Sequence, residues 1–429
     1  MEHLFSLFYQ TSGVCTDTRN IQPNSLFIGL KGANFDGSLF AKEAISQGAK
    51  FAIVSDKVSA DHQQIFYVDD TLRFLQLLAQ HHRRKFNIPI IAITGTNGKT
   101  TTKELMAAVL SQQFEVHFTK GNLNNHIGVP ITLLALNNSF DMAIIEMGAN
   151  KPGDIQELVE IAEPTHGLIT NIGLAHLEGF GSPEGVLKTK CELYDFLSKI
   201  GGTIFINDAE PKLVGVLPNN VETIFYGSNK ASFVSGKYES LNPYLAISWT
   251  QQGSLKHSVT SNLVGVYNTS NLLAAICLGV YFEIPVELVN KGISDYVPTN
   301  NRSQIVKTTR NTLIMDAYNA NPTSVQAAID NMDVLPVENK LLILGDMLEL
   351  GSEALNAHKE ILHKVNQLSL SALFVGAIYS SLKPQFDNNM FFETVQEAKD
   401  FLAIAKPKDN FILLKGSRGI GLERLTDAL

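Results

Sequence analysis

The segment that most limits what this chain can become runs from Ile88 to Phe114. It holds an unbroken apolar run, Ile88-Pro89-Ile90-Ile91-Ala92-Ile93-Thr94, then a glycine turn, Gly95-Thr96-Asn97-Gly98-Lys99-Thr100, then a helical pattern ending in LMAAVLSQQF. A continuous apolar run of this length suits a strand buried on both faces, and such strands belong to parallel sheets covered by helices. Strand, glycine turn and helix in that order gather backbone N–H groups and a helix N-terminus around one concavity, which is an anion site. Lys99 places a cation near the terminal phosphates of a nucleotide, Thr100 offers a hydroxyl to Mg²⁺, and Thr101 follows in the first turn. A plain strand-to-helix turn uses glycines in the same way. The general phosphate-loop pattern also asks for glycine five residues before Gly98, where Ile93 stands.

The rest of the chain repeats the alternation. DMAIIEMG, HGLITNIG and GTIFIN are further buried-strand candidates, and between about 221 and 266 the pattern changes to shorter alternating pieces around Trp249, as in an antiparallel extension. Upstream, the runs SLFIGL and KFAIVS and the helix RFLQLLAQHHRRKF end before Pro89; downstream of Asn300, NTLIMDA, TSVQAAIDNM, KLLILGD, EALNAHKEILHKVNQL, ALFVG and FILLKG alternate to the end. The predicted fold is therefore α/β in three domains: a small α/β domain over 1–87, a central phosphate-loop domain with a parallel sheet over 88–298, and a Rossmann-like domain over 299–429 without a dinucleotide GxGxxG.

Composition narrows the function classes. At 429 residues the chain exceeds one ordinary core, and a formal charge of -8 argues against broad capture of nucleic acid or anionic membrane. Cys15, Cys191 and Cys277 form no CxxC pair, which favours a reduced compartment and inert thiols. No run approaches the ~20 apolar residues of a bilayer span, and MEHLFSLFYQ lacks a basic leader. We expect a cytoplasmic monomer with no membrane insertion and no nucleic-acid partner.

The short form Gly95-Thr96-Asn97-Gly98-Lys99-Thr100 resembles the loop of the Mur ligases and their folylpolyglutamate synthetase relatives. Four more segments in order resemble one branch of the Mur ligases: GNLNNHIGVP at 121–130, EMGAN at 146–150, AHLEGFG at 175–181 and YNANP at 318–322. The resemblance extends from Thr16 to Arg418. That branch adds D-alanyl-D-alanine to a UDP-linked muramoyl tripeptide in peptidoglycan synthesis. The resemblance thus implies ATP, two Mg²⁺ ions and those two substrates, with 1–87 binding the UDP substrate and 88–298 binding ATP.

Residue by residue, the resemblance implies that Lys99, Glu146, His176 and Lys190 form the catalytic group, with Thr100, Glu146, His176 and Lys190 on metal. Lys190, within KTKCELY, stands where the family carries a lysine carbamylated by CO₂; on residue chemistry alone, two lysines two apart on a helix are equally solvent-facing charges. Glu146 at a strand end and His176 in a loop have bland readings too, as a solvated carboxylate and a satisfied loop histidine. Gly95, Thr96, Asn97, Gly98, Lys99, Thr100 and Thr101 would hold the phosphates. Asn268 and Asn271 would reach the adenine or else cap a helix, Arg302 the phosphates, Asp316 the ribose, and Asn319 either the nucleotide or its own turn. In the first domain Thr16, Asp17, Thr18, Arg19 and Lys31 are similar to uridine-diphosphate contacts, although Asp17 and Arg19 also suit a local ion pair. Asn122, Asn124 and Asn125 suit a sugar or diphosphate, or ordinary turns. Lys415, Ser417 and Arg418 end the strand FILLKG and would hold the dipeptide's carboxylate.

The implied reaction is attack of the tripeptide carboxylate on the γ-phosphorus, giving an acyl phosphate, followed by attack of the dipeptide amine. Another Mur-type or folylpolyglutamate ligase shares the loop but should lack GNLNN and YNANP. A nucleotide switch shares the loop without needing Glu146, His176 and Lys190.

Overall fold

The computed structural model describes residues 1–173, 177–386 and 388–429. The chain is an α/β protein of three parts, each built on its own sheet. In the first, β1 (Val14–Cys15), β2 (Leu26–Ile28), β3 (Phe51–Val54) and β4 (Ile65–Tyr67) lie parallel in chain order. The helix Ala41–Ser46 covers them, and its Ala41 and Ala44 pack with Phe27, Ala52 and Val54 in a small core.

Among the described residues the central sheet has nine strands. These are β5 (Ile90–Thr94), β6 (Val116–Phe118), β7 (Met142–Glu146), β8 (His166–Ile169), β9 (Thr203–Asn207), β10 (Glu222–Gly227), β11 (Val234–Leu241), β12 (Leu245–Gln251) and β13 (His257–Thr260). Their order is β13-β12-β11-β10-β9-β8-β5-β7-β6. β5, β7 and β9 are buried along their whole length, as apolar runs without a polar face demand. The antiparallel extension begins later than the sequence suggests. β10 still pairs parallel with β9, because the helix Pro211–Val214 lies in the connection and carries the chain back across the sheet; antiparallel pairing starts between β11 and β12. Trp249 on β12 is buried and its indole N–H donates to Asn290 Oδ1 at 3.0 Å.

The third sheet comprises β14 (Gln304–Lys307), β15 (Thr312–Asp316), β16 (Lys340–Gly345), β17 (Ser371–Val375), β18 (Met390–Phe392) and β19 (Phe411–Lys415), in the order β14-β15-β19-β16-β17-β18. β14 is antiparallel to β15 and the other pairs are parallel. Leu313, Met315, Ile343 and Leu414 from these strands share a core with Leu422 and Leu425 of the C-terminal segment. The carboxyl ends of β15 and β19 lie level, Asp316 opposite Lys415, at the edge where open α/β sheets place ligands.

By packing, the chain groups into two compact units: Met1–Ala92 with Glu115–Ala149 and Gly153–Gly167, and Ile93–Phe114 with Asn150–Pro152 and Leu168–Leu429. Within the first, the helix Thr71–Arg83 packs on the helices Gly128–Leu134 and Asp154–Ala162. Arg83 is buried there, and its guanidinium donates to the carbonyls of Ala162 and Glu163, each at 2.9 Å, satisfying a helix C-terminus. Among the described residues no helix is long and apolar enough to cross a membrane. Cys15, Cys191 and Cys277 are free thiols, and burial pushes Cys191 up to about 12.

Candidate active site

β5 delivers the chain into the glycine loop, and Gly98 at φ +80° opens the helix Lys99–Leu110 without a side-chain cap. Both loop glycines are required. A Cβ on Gly95 would strike Thr170, and one on Gly98 would lie 2.7 Å from Asn271 Oδ1. Gly98 brings no side chain to cap the helix, and a helix start of this build is where anions bind. Lys99 Nζ donates to the carbonyls of Gly95 and Thr96 at 2.7 and 3.2 Å, holding its charge over the loop. Thr100 and Thr101 are buried in the first turn.

The loop is braced by residues that the sequence reading did not select. Asn97 N donates to Asn171 Oδ1 at 3.0 Å, while its carbonyl accepts from Thr170 Oγ1 at 2.6 Å and Asn171 Nδ2 at 3.0 Å. Thr96 Oγ1 accepts from Gly173 N at 3.0 Å. Asn321 Nδ2, from the turn after β15, donates to Asn97 Oδ1 at 2.7 Å. Only Asn321 carries a local sequence signal, an Asn before Pro at a helix start, which marks a cap rather than a loop partner.

Asn268 and Asn271 lie buried against the helix of the loop. Asn271 Oδ1 accepts from Thr102 Oγ1 at 3.0 Å and its Nδ2 donates to Asn268 Oδ1 at 2.8 Å; Asn268 Nδ2 donates to Val264 O at 2.8 Å and Ser303 Oγ at 3.2 Å. Neither side chain caps the helix Thr269–Tyr281, the alternative that residue type suggested. Their hydrogen bonds instead hold the phosphate-loop helix from behind.

Lys188 and Lys190 share the helix Pro183–Ile200 but differ in surroundings: Lys188 is exposed and Lys190 is 3% exposed. Lys190 Nζ lies 5.7 Å from the centroid of the Phe180 ring. Burial, with the Lys99 charge as a second cause, holds the Lys190 amine well below the ordinary lysine range. An amine so placed loses its proton readily and becomes nucleophilic. His176 lies outside the described residues.

In the first unit, Glu146 ends β7 and is 1% exposed, and Asn124 Nδ2 donates to its Oε1 at 2.8 Å. Asn125 Oδ1 instead accepts from Ile127 N and Gly128 N at 3.1 and 2.9 Å, which is turn chemistry, while Asn122 is exposed. Thr16 and Thr18 are half-buried. Arg19 grips Asp17 with Nη2–Oδ2 at 2.6 Å, and the Arg19 side-chain hydrogen bond takes the Asp17 carboxyl down to about 2. Lys31 stands 3.9 Å from Asp36 and is exposed.

At the end of the third sheet the expected ligand groups meet one another. Lys415 Nζ donates to Asp316 Oδ2 at 2.8 Å and to Asn319 O at 3.2 Å, with the Lys415 side chain 3% exposed. Lys415 is thus half of an internal ion pair, and its charge is used within the fold. Ser417 is buried and its Oγ accepts from Leu348 N at 2.9 Å, which leaves Arg418 as the exposed member of the expected acceptor trio. Asn319 Oδ1 accepts from Ala320 N at 2.9 Å, in its own turn. Arg302 is half-buried, beside Tyr318.

A phosphate loop with its lysine, hydrogen-bonded to the ligand edge of a second α/β sheet, is the build of an ATP-dependent ligase. Residues 10–83 match the catalytic domain of the Mur ligase family, 93–279 the Mur ligase middle domain and 301–418 the Mur ligase glutamate ligase domain. The chain belongs to the Mur ligase family. It is 36% identical over 431 residues to the UDP-N-acetylmuramoyl-tripeptide--D-alanyl-D-alanine ligase of Bacillus subtilis, covering 97% of this chain and 93% of that protein. It is 33% identical to the ligase of the same name from Escherichia coli, with the same coverage, 97% and 93%. The crystal structure of MurF from Acinetobacter baumannii matches with a TM-score of 0.89 at 26% identity over 99% of this chain and 97% of that one. The fold is shared with MurF of Thermotoga maritima, solved in complex with ADP, at a TM-score of 0.85 and 24% identity over 98% and 97% of the two chains.

Proposed function

We propose that this chain is the ligase that joins D-alanyl-D-alanine to UDP-N-acetylmuramoyl-tripeptide at the expense of ATP, acting as a cytoplasmic monomer in peptidoglycan synthesis. The observation that carries this reading is the end-to-end likeness to ligases of that name, 97% of the chain at 36% identity, with the phosphate loop in place. The division of labour follows the three parts: 1–87 for the UDP moiety, through Thr16, Asp17, Thr18, Arg19 and Lys31; 88–298 for ATP; 299–429 for closure and for the dipeptide.

The tripeptide's terminal carboxylate attacks the γ-phosphorus, the bond to the bridging oxygen breaks, and ADP leaves. The dipeptide amine then attacks the acyl carbon, phosphate departs with the C–O electron pair, and the amine gives up a proton. Lys99, at the helix start, offsets charge spreading over the transferred oxygens, and Arg302 adds a second cation. Asn268 and Asn271 keep the loop helix in register beneath the nucleotide. Arg418 is the group for the dipeptide's carboxylate, since Lys415 is paired with Asp316.

Magnesium, when bound, supplies charge neutralisation at the phosphoryl oxygens. Among the described residues no three His, Cys, Asp or Glu side chains cluster as a ready metal site. The donor chemistry nonetheless suits hard cations: Thr100 would offer a hydroxyl and a carbamylated Lys190 an anionic oxygen in one unit, and Glu146 a buried carboxylate in the other. The buried Lys190 amine suits carbamylation, in which its nitrogen lone pair adds to CO₂ and the N–H proton leaves to solvent.

The test is ADP release measured with each substrate omitted in turn, with the tripeptide offered in its lysine and diaminopimelate forms. Turnover should require ATP, one tripeptide form and the dipeptide together. Turnover with glutamate in place of the dipeptide, or with ATP alone, would overturn the assignment.

A further inference from the structure

The order β14-β15-β19 places the chain after β15 between two others. β14 runs antiparallel to β15, so the residues before β14 lie at the carboxyl end of β15, and β19 runs parallel, so the residues after it lie there too. Arg302 comes before β14, Arg418 after β19, and Tyr318 two residues after the end of β15. The guanidinium carbon of Arg302 lies 3.9 Å from the centroid of the Tyr318 ring and that of Arg418 lies 5.1 Å from it. Arg418 Nη1 also donates to the Tyr318 hydroxyl at 3.4 Å. Arg302 Nε is buried without a hydrogen-bond partner among the described residues, so the ring is a principal neighbour of that cation.

Two cations brought together repel unless something between them offsets the charge, and the electron-rich face of an aromatic ring does this. The ring is itself fixed by its backbone. Lys415 bonds Asp316 on one side of Tyr318 and the Asn319 carbonyl on the other, and Asn321 ties the same turn to Asn97 in the phosphate loop.

We propose that Tyr318 is a positioning residue that holds Arg302 and Arg418 at one place, so that the cation directed at the nucleotide and the cation directed at the acceptor carboxylate are set by a single ring. The roles of the two arginines rest on the function proposed above. The hold of Tyr318 on them rests on the geometry.

The experiment compares Tyr318→Phe and Tyr318→Leu in the full chain. It reads kcat and KM for all three substrates and, apart from turnover, the affinity for a non-hydrolysable ATP analogue by calorimetry. Phe keeps the ring face and should stay within about threefold of the parent in every constant. Leu should raise the dipeptide KM by about tenfold and weaken analogue binding by about threefold, with the UDP-tripeptide KM unmoved. On an Arg418→Ala background, Leu should add less than about twofold to the dipeptide KM, because the coupled partner is already gone. A folded Leu variant with parental constants, a Phe variant as impaired as Leu, or an equal rise in all three KM values would each overturn the proposal. If Arg418→Ala alone leaves the dipeptide KM unchanged, the acceptor assignment falls separately. Tyr318 is then judged on the analogue: weaker binding with Leu supports it, and unchanged binding overturns it.

Discussion

Asn321 offers a perturbation in which two roles of one side chain separate. It is 6% exposed, its Oδ1 accepts from Ser324 N at 2.9 Å in a capping box on the helix Pro322–Val334, and its Nδ2 donates to Asn97 Oδ1 at 2.7 Å. Alanine removes both bonds. Loss of the cap costs about 1 kcal/mol, within a range of about 0.5–2, and loss of the amide bond costs about 1 kcal/mol more. Asn321→Ala should therefore destabilise by about 1.5–3 kcal/mol. Serine keeps the capping oxygen but is too short to reach Asn97, so Asn321→Ser should lose about 1 kcal/mol or less. If that bond orders the phosphate loop, both variants should bind an ATP analogue about fivefold more weakly, the equivalent of about 1 kcal/mol. Urea unfolding followed by circular dichroism gives the stabilities, and calorimetry gives the affinities. Equal stability of the two variants would refute the cap. Parental affinity in both would refute the view that the third sheet's turn orders the loop.

Lys99→Ala should keep the fold, since the loop backbone is braced elsewhere, yet lose at least about 100-fold in kcat; near-parental turnover in a folded variant would count against the loop assignment. Enzyme depleted of CO₂ should lose activity and regain it with bicarbonate, and ¹³C-bicarbonate should give a carbamate signal absent from Lys190→Ala; full activity with no such signal would remove the carbamate. Arg418→Ala should raise KM for the dipeptide by about tenfold or more while leaving those for ATP and the UDP-tripeptide within about twofold, and an equal change in all three would move the acceptor site. His358 is buried, its Nδ1–H donating to Ala354 O at 2.6 Å and its Nε2 accepting from Met347 N at 3.0 Å, so both nitrogens are satisfied by the neutral ring. Burial holds His358, and likewise His82 and His117, below the ordinary 6.5. Below that pH the unfolded chain binds protons that the folded one does not, so stability should fall from pH 7 to pH 5, and a urea midpoint unchanged or higher at pH 5 would contradict this.

What was legible in the sequence was what local pattern encodes. The run before Gly95 specified a buried strand and the two glycines the turn; Lys190 was set apart from Lys188 by the family resemblance alone, and Lys190 is buried where Lys188 is exposed. Pairings between distant segments were not legible. Asp316 and Lys415 are 99 residues apart and each read as a ligand group, because nothing local says that β15 and β19 are neighbours with those two in register. Asn97 finds partners 74 and 224 residues away, and Asn171 lies in a segment that read simply as a strand end. Asn268 and Asn271 carried signals for a helix start, but their bonds run sideways to Thr102 and Ser303 because a crowded helix interface left them buried.

The proposed ligation turns on an acyl phosphate made from the tripeptide's own carboxylate and taken by D-alanyl-D-alanine. Labelling that carboxylate with ¹⁸O and analysing the released phosphate by mass spectrometry tests it directly. The mechanism transfers one carboxylate oxygen to phosphorus and leaves it there when the amine displaces phosphate. One ¹⁸O per phosphate, appearing only when the dipeptide-extended product appears, is the predicted result. Unlabelled phosphate released alongside that product would contradict it.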